Sequence, residues 1–270
     1  MSTIEFLFKG YGLSALIAAV LAYLLGSVSF AILLTQHYKK QDIRTQGSGN
    51  AGMTNVFRSV GKTAGILTFV GDFVKALAAV FLGILIFQWF DSLTLSLLGF
   101  SAGEAASATS IGIIGGADGP TSIGVINNGI APDKYYLFGG YIAGFFAMLG
   151  HMFPLFHQFK GGKGAVTAVA TVAVLDWRLF IAIAIVFFGS IALTRTISIS
   201  TIAAAICLPF LNFAIKYFFD YKTGAANSVY LWFTSVMMLI IGASVIAKHH
   251  ENIKRILNGT EKKFTIKKDG

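Results

Sequence analysis

Long apolar stretches alternate with short polar segments along the 270-residue chain. A helix needs about 20 mainly apolar residues to cross the hydrocarbon core of a membrane, and it satisfies its own backbone hydrogen bonds there, so the pattern predicts about seven transmembrane helices. They lie near 11–35, 66–90, 137–157, 164–176, 179–194, 198–218 and 229–247. The fourth and fifth stretches are short, which leaves open a tight hairpin that does not cross fully.

The composition agrees with a membrane protein. Hydrophobic residues make up 55% of the chain, charged residues only 12%, and the mean hydropathy is +0.72. We therefore expect one all-α polytopic membrane domain over residues 1–270. Residues 1–10 lack a basic region and no convincing cleavage site follows the first apolar run, so the first helix is expected to stay in the membrane.

Most Lys and Arg residues fall on one side of the predicted helices, in the segments 36–65, 158–163 and 248–270 and at Arg195. By the positive-inside rule this side is cytoplasmic, with the N-terminus outside and the C-terminus inside. The other side holds Lys9, Lys134, Arg178 and Lys222. The net charge of +9 favours anionic headgroups or anionic substrates at the cytoplasmic face, and nucleic acid is not an expected partner.

Three polar segments on this side carry most of the candidate chemistry. They are loop 1, GSGNAGMTNVFRSVGK (47–62); loop 2, FKGGKGAVTA (159–168); and the C-terminal segment, KHHENIKRILNGTEKKF (248–264). Glycines let backbone N–H groups crowd around an anion, neutral donors such as Asn55 add to them, and loop 2 leads into a helix N-terminus that also favours anions. The segments therefore predict a site for phosphate groups.

Other motifs in these segments lack the context that they require. Residues 47–52 fit G-x-G-x-x-G but follow no buried strand, and neither 61–63 nor 162–164 completes a P-loop. His37 and Asp42 have the H-x4-D spacing of soluble-headed acyltransferases, with an interfacial cap as the alternative. Further candidates have simpler interpretations: Asp72 and Lys75 as an ion pair on one helix face, His151 and His157 as polar positions of the third span, and Cys207 as a packing residue.

Together with AYLLGSVSF (22–30), GDFVKA (71–76) and GHMFP (150–154), the three segments resemble the PlsY-type acyl-phosphate:glycerol-3-phosphate acyltransferase family. The resemblance covers nearly the whole chain except about 101–135. It implies an enzyme of the bacterial cytoplasmic membrane that needs no cofactor or metal. This enzyme transfers a fatty acyl group from acyl phosphate to the 1-hydroxyl of glycerol 3-phosphate, giving lysophosphatidic acid and phosphate, the first step of phospholipid synthesis. Membrane lipids, both substrates and the enzyme that makes acyl phosphate are the expected partners.

Matching the family's motifs assigns the catalytic and substrate-binding set to Ser48, Arg58, Lys163, His249 and Asn252. The expected phosphate-lining residues are Gly47, Gly49, Asn50, Thr54, Gly161, Gly162, Arg195 and Ser198. The match implies that Arg58 and Lys163 hold glycerol 3-phosphate and that Ser48 orients the attacking hydroxyl or relays its proton. His249 is open between a general base, a phosphate donor and a bridge between helices. Structural alternatives also stay open: a turn for Ser48, headgroup anchors for Arg58 and Lys163, and a helix cap for the other two.

Residues 101–135 depart from the family as an insertion. Within them, IGIIGGADGPTSI (111–123) resembles a stretch of the membrane β-subunits of sodium-pumping decarboxylases, where such an aspartate, here Asp118, takes part in ion binding. We expect an external hairpin or a re-entrant loop. The rival function is a transporter or channel for an anion or sodium. Such proteins bury ionisable groups at the membrane midplane and show repeated halves, whereas the charges here cluster at one face.

Overall fold

The computed structural model describes residues 3–97, 111–114, 122–125 and 136–263. These residues are helical apart from loops and one short β-hairpin. The helices are α1 (Thr3–Gly26), α2 (Phe30–Lys39), α3 (Met53–Ser59), α4 (Lys62–Leu97), α5 (Tyr136–Met152), α6 (Ala165–Leu175), α7 (Trp177–Thr194), α8 (Ile197–Ile215), α9 (Ser228–Lys248) and α10 (His250–Leu257). Single 3-10 turns lie at Ile43–Thr45 and Leu155–His157, and a π-helical turn at Lys216–Tyr221 follows α8.

The fold is that of a multi-pass membrane protein, as the apolar pattern predicts. Within the described residues six helical stretches are long and apolar enough to cross a membrane. They are Gly12–Lys39, Lys62–Phe90, Tyr136–His157, Trp177–Thr194, Ile197–Tyr221 and Ser228–Lys248. Each coincides with a predicted stretch. The seventh predicted stretch corresponds to α6, which is apolar but shorter.

The insertion contains an antiparallel hairpin of two strands, β1 (Ile111–Ile114) and β2 (Ser122–Val125). Ile111 pairs with Val125 and Ile114 with Ser122. The position of this segment, either outside the membrane or re-entrant within it, stays a prediction. Asp118 lies outside the described residues.

The first predicted span is two helices, not the one continuous helix that the apolar pattern suggests. The chain leaves α1 after Gly26 and enters α2 at Phe30. The hydroxyl of Ser27 donates to the carbonyl of Tyr23 at 2.8 Å, a bond that competes with regular helical pairing. Gly26 also lies against α5, where an added Cβ would sit 2.1 Å from the carbonyl oxygen of Ala147. Such close approach through small residues is typical of packed transmembrane helices.

Helix α6 is too short to cross a membrane. It has 11 residues and α7 has 18, and the two meet at Asp176. At 1.5 Å per residue they extend about 16 Å and about 27 Å. Of the two short stretches, therefore, only the second is long enough to cross. Loop 2 directly precedes α6, at the end of that helix away from Asp176.

An ion network holds the helices together at the end opposite loop 2. The ammonium of Lys216 lies 2.7 Å from Asp176, and the guanidinium of Arg178 lies 2.8 Å from Asp176 and 3.0 Å from Asp220. The side chains of Lys216 and Asp176 are each only 3% exposed. Sequence analysis places Arg178 at this end but does not identify the network. It ties the junction of α6 and α7 to the π-helical turn after α8.

Replacing Lys216 with methionine should destabilise the protein. The change leaves Asp176 and Asp220 buried with one cation between them, and removing one partner of a buried ion pair costs about 3 kcal/mol. Thermal unfolding of the purified protein in a fixed detergent measures the effect. Lys222→Met is the matched control, because Lys222 is exposed a few residues further on. Equal midpoints for the two variants would contradict the structural role of the network.

Candidate active site

Buried Asn55 holds loop 1 in shape. Its side-chain oxygen accepts a hydrogen bond from the backbone N–H of Ser48 at 3.0 Å, and its amide nitrogen donates to the carbonyls of Gln46 at 2.9 Å and Asn50 at 3.1 Å. Gly47 has a φ of +58° and packs so tightly that an added Cβ would lie 2.2 Å from the Asn55 oxygen. Sequence analysis counts Asn55 among the donors offered to a ligand. That interpretation is wrong, because its polar groups already serve the loop.

The predicted residues of loop 1 lie on or beside this framework. Ser48 is exposed, as is Gly49, whose φ of +70° favours glycine. Thr54 lies in the first turn of α3, and Arg58 lies exposed in its last turn. Within the described part of the chain, the structure records no hydrogen bond for the Arg58 side chain. Loop 1 therefore presents the hydroxyl of Ser48 and the guanidinium of Arg58 to a ligand.

Loop 2 lies on the end of α5. The backbone N–H of Gly162 donates to the carbonyl of His151 at 3.0 Å, and that of Gly161 donates to Met152 at 3.3 Å. An added Cβ on Gly162 would lie 2.1 Å from Nε2 of His151 and 2.8 Å from the carbonyl oxygen of Ala51 in loop 1. These two glycines thus permit close packing between the loops, and their N–H groups are not free donors. Their place in the phosphate lining stays a prediction.

Lys163 connects loop 2 to the C-terminal segment. Its ammonium donates to the side-chain oxygen of Asn252 at 2.5 Å, and the Asn252 amide donates to the hydroxyl of Ser198 and to the carboxylate of Glu261, each at 2.7 Å. Arg255 in turn donates to the other oxygen of Glu261 at 2.7 Å. Three segments that are distant in sequence therefore meet at Asn252.

Two members of this network are absent from the sequence-based site. Arg255 and Glu261 belong to the C-terminal segment but have no role assigned to them in the sequence analysis. Ser198 is assigned to phosphate lining, and its hydroxyl also donates to the Glu261 carboxylate. Arg195 lies exposed at the end of α7 and forms no recorded bond to this network within the described residues. The sequence signal that points to Arg255 is its place in α10, a short amphipathic helix in which polar residues recur at every turn.

His249 is buried between α9 and α10. Its Nδ1 lies 2.7 Å from the carbonyl oxygen of Val245. Because a carbonyl can only accept, Nδ1 carries the proton and Nε2 of the neutral ring is an acceptor. Burial lowers the pKa of His249, and the nearby charge of Lys163 lowers it further. The ring is therefore neutral at pH 7, which suits a general base.

The charge around Lys163 is unusually concentrated. Burial lowers the pKa of Lys163 to about 8, and the positive charges of Arg255 and Arg58 act in the same direction, while Glu261 opposes them. Arg58 of loop 1 is thus close enough to interact with Lys163 of loop 2. An anion bound here would relieve the repulsion among these cations.

A cavity of about 490 Å³ opens between loops 1 and 2, which is within the usual size range of ligand pockets. Its lining includes Arg44, Gly49, Lys160, Gly161 and Lys248. Two further cations, Lys160 and Lys248, therefore face the same space as both glycine-rich loops.

Arg44 belongs to a separate contact at the wall of this cavity. Its guanidinium binds Asp42 at 2.6 Å and donates to the carbonyl of His157 at 2.8 Å. The hydrogen bond from Arg44 lowers the pKa of Asp42. His37 is exposed and stacks edge-on against Tyr38. The H-x4-D interpretation of His37 and Asp42 is therefore wrong, because the carboxylate is held by Arg44.

The fold and the site together define an integral membrane protein with a basic, glycine-rich polar site set into one end of a helical bundle. The family model for glycerol-3-phosphate acyltransferase matches residues 16–259, and the chain belongs to this family. It is thus a glycerol-3-phosphate acyltransferase, an enzyme, as the sequence motifs predict.

Individual relatives span almost the whole chain. The glycerol-3-phosphate acyltransferase of Clostridioides difficile (strain 630) is 31% identical over 256 residues, which cover 95% of this chain and 98% of that protein. The one from Staphylococcus haemolyticus (strain JCSC1435) is 31% identical over 245 residues, covering 91% and 95%. The sequence similarity thus extends over almost the full length of this chain and of both relatives.

Solved structures show the same architecture. The crystal structure of PlsY (YgiH), an integral membrane glycerol 3-phosphate acyltransferase, in its glycerol 3-phosphate form, superposes with a TM-score of 0.63 at 28% identity, covering 93% of this chain and 96% of that one. Its lysophosphatidic acid form gives a TM-score of 0.60 at 27% identity with the same coverage. The similarity supports a role in phospholipid synthesis.

Replacing Asn55 with alanine should loosen loop 1 without touching a ligand. The variant removes the acceptor of the Ser48 N–H and the donor to the carbonyls of Ile43, Gln46 and Asn50, each bond worth about 1 kcal/mol. Hydrogen exchange at the Ser48 amide should accelerate roughly tenfold. Gln46→Ala is the control, because its backbone carbonyl stays and, among the described residues, its side chain bonds only to exposed Gln41. Unchanged exchange in Asn55→Ala would show that the loop holds its shape by other means.

Proposed function

We propose that this enzyme uses acyl phosphate as its donor and transfers the acyl group to the 1-hydroxyl of glycerol 3-phosphate, releasing lysophosphatidic acid and phosphate. The reaction would be the first step of phospholipid synthesis in a bacterial cytoplasmic membrane, coupled to the enzyme that makes acyl phosphate. The whole of residues 1–270 would serve it as one domain. The observation that carries the proposal is that Lys163, at the start of α6, lies close enough to Arg58 and Arg255 to feel the charge of both.

Charge supports two phosphate-bearing substrates. Arg58 and Arg255 are each close enough to act on Lys163, and Lys160 and Lys248 line the cavity between the loops. One bound phosphate dianion would leave part of this positive charge uncompensated. Cations held in place before the substrates arrive are an effective way to stabilise charge that develops during phosphate departure.

The place of Lys163 beside apolar helices supports a lipid-soluble donor. Lys163 directly precedes α6, an apolar helix that packs against α4 and α5, and it follows Phe159 and Lys160, which are exposed. A phosphate bound there would have its acyl chain in lipid, while glycerol 3-phosphate would enter from water. The basic loops are then on the cytoplasmic side, in keeping with the distribution of Lys and Arg.

The chemistry needs positioning more than nucleophile activation. The hydroxyl oxygen of glycerol 3-phosphate forms a bond to the acyl carbon, the bond from that carbon to the phosphate oxygen breaks, and phosphate leaves with the electron pair. The acceptor Nε2 of His249 is the proposed recipient of the hydroxyl proton, and Ser48 is proposed to orient the hydroxyl. Lys163 and Arg58 would hold glycerol 3-phosphate, and Asn252 would fix Lys163.

Donor identity is the first test. Purified protein in lipid is given glycerol 3-phosphate with either palmitoyl phosphate or palmitoyl-CoA, and both phosphate release and lysophosphatidic acid are followed. We expect product only with palmitoyl phosphate, and a loss of at least 100-fold in Ser48→Ala and Lys163→Ala, from the lost transition-state contacts. Product from palmitoyl-CoA alone would overturn the donor assignment. No product from either donor in folded protein would instead favour transport of an anion or sodium.

The pH dependence should report Lys163. Its pKa of about 8 means that the free enzyme carries the cation below pH 8 and loses it above. Glycerol 3-phosphate is a dianion throughout this range, because its second pKa is about 6, by analogy with phosphorylated side chains. We expect kcat/KM for glycerol 3-phosphate to fall above about pH 8, and kcat to fall at higher pH because the bound dianion stabilises the charged lysine.

Lys163→Arg is the control for this assignment. Arginine keeps its proton beyond pH 12, so the variant, whatever its overall rate, should show no fall near pH 8. A fall at the same pH in both proteins would assign the titration to another group.

A further inference from the structure

Three ionisable side chains lie buried beneath loop 2, within the membrane-spanning helices. They are Asp72 and Lys75 of α4 and His151 of α5, which are 1%, 4% and 6% exposed. Lys75 Nζ lies 2.7 Å from Asp72 Oδ1 and 3.2 Å from His151 Nδ1. Charged groups inside a membrane protein are costly and usually have a specific purpose. The proposed reaction assigns none to these three.

The contacts decide how the His151 ring is held. An ammonium group can only donate, so His151 Nδ1 accepts from Lys75 and the ring proton lies on Nε2. The distance from Nδ1 to Asp72 is 3.5 Å, which is long for a hydrogen bond. Asp72 therefore fixes Lys75, and Lys75 fixes the ring.

The opposite edge of this ring lies against loop 2. An added Cβ on Gly162 would lie 2.1 Å from Nε2 and 2.7 Å from Cε1 of His151. The backbone of His151 also holds the loop, since its carbonyl accepts from the Gly162 N–H at 3.0 Å and lies 2.1 Å from the Cβ that Gly161 lacks. The position of His151 thus determines the position of Gly162, and Lys163 is the next residue.

Lys75 also joins this cluster to the helices that lead to loop 1. Its ammonium donates to the carbonyl of Val28, at the break between α1 and α2. Helix breaks leave carbonyls without helical partners, and such groups must be satisfied inside a membrane protein. One buried cation therefore contacts α4, α5 and the α1–α2 break.

We propose that Asp72, Lys75 and His151 form a positioning unit that fixes loop 2 through Gly162, so that Lys163 is aligned for its anionic substrate. This inference rests on the proposed role of Lys163 and extends the site to residues that do not touch substrate. The cluster also fixes the two glycine-rich loops relative to each other, because Gly162 packs against the carbonyl of Ala51 in loop 1.

The test is direct binding of glycerol 3-phosphate by calorimetry in detergent, together with the thermal midpoint of each protein. Asp72→Asn/Lys75→Met removes both charges at once, which avoids an unpaired buried charge. We expect Kd to rise at least fivefold when binding is measured below the thermal midpoint of the variant, so that only folded protein is compared. His37→Gln, at an exposed histidine, should bind like the parent. Parental Kd in the double variant would overturn the proposal.

A second comparison applies even if that double variant does not fold. Gly162→Ala brings a methyl group onto the His151 ring and should weaken binding at least tenfold. In a His151→Ala background the ring is gone, and the same change should cost less than about threefold, since residues in contact show non-additive effects. Fully additive losses would overturn the proposal. If the parent protein itself binds no glycerol 3-phosphate, the proposed function fails and not this inference alone.

Discussion

Each charged side chain that the bundle buries needs a partner, because packed helices and lipid provide no water to solvate it. This requirement organises the polar part of the structure. Asp72 is held by Lys75 and Asp176 by Lys216, each at 2.7 Å. The first pair lies beneath loop 2, and the second lies at the opposite end of the helices. Lys216 and Asp176 belong to different helical elements, and Lys75, which pairs with Asp72 on the same helix, also contacts His151 of α5. Satisfying the charges therefore also fixes how the helices are arranged.

Helix α6 connects the ion network at Asp176 to the candidate site at Lys163. Lys163 precedes its first turn, and Asp176 follows its last. Because Asp176 is bound by Arg178 and Lys216, the far end of the helix is fixed. The 11 residues of the helix then set the distance from that end to loop 2 at about 16 Å. His151 supports the loop from below. Lys163, which is proposed to bind the anionic substrate, is thus placed by two buried clusters.

The sequence predicts the membrane fold and the family because both depend on local signals. A span needs a long apolar run, and the glycine-rich motifs are contiguous. Contacts between distant residues leave no such signal, as with Lys216 and Asp176, which are 40 residues apart. The inward role of Asn55 is also hidden, because an asparagine in a polar loop looks like a free donor. The break after Gly26 depends on close packing against α5, which an apolar pattern does not reveal.

The partner of Lys163 explains how a half-buried cation stays available. The neutral amide of Asn252 accepts the hydrogen bond from Lys163. The carboxylate of Glu261 accepts from the amide nitrogen of Asn252 and from Arg255. A carboxylate in direct contact would neutralise Lys163 and compete with phosphate. A neutral acceptor orients the ammonium but leaves its charge uncompensated, and burial and the neighbouring arginines then lower the pKa of Lys163 to about 8. The group is therefore only weakly stabilised as a cation until an anion arrives, so the binding energy of phosphate and the protonation of Lys163 are coupled.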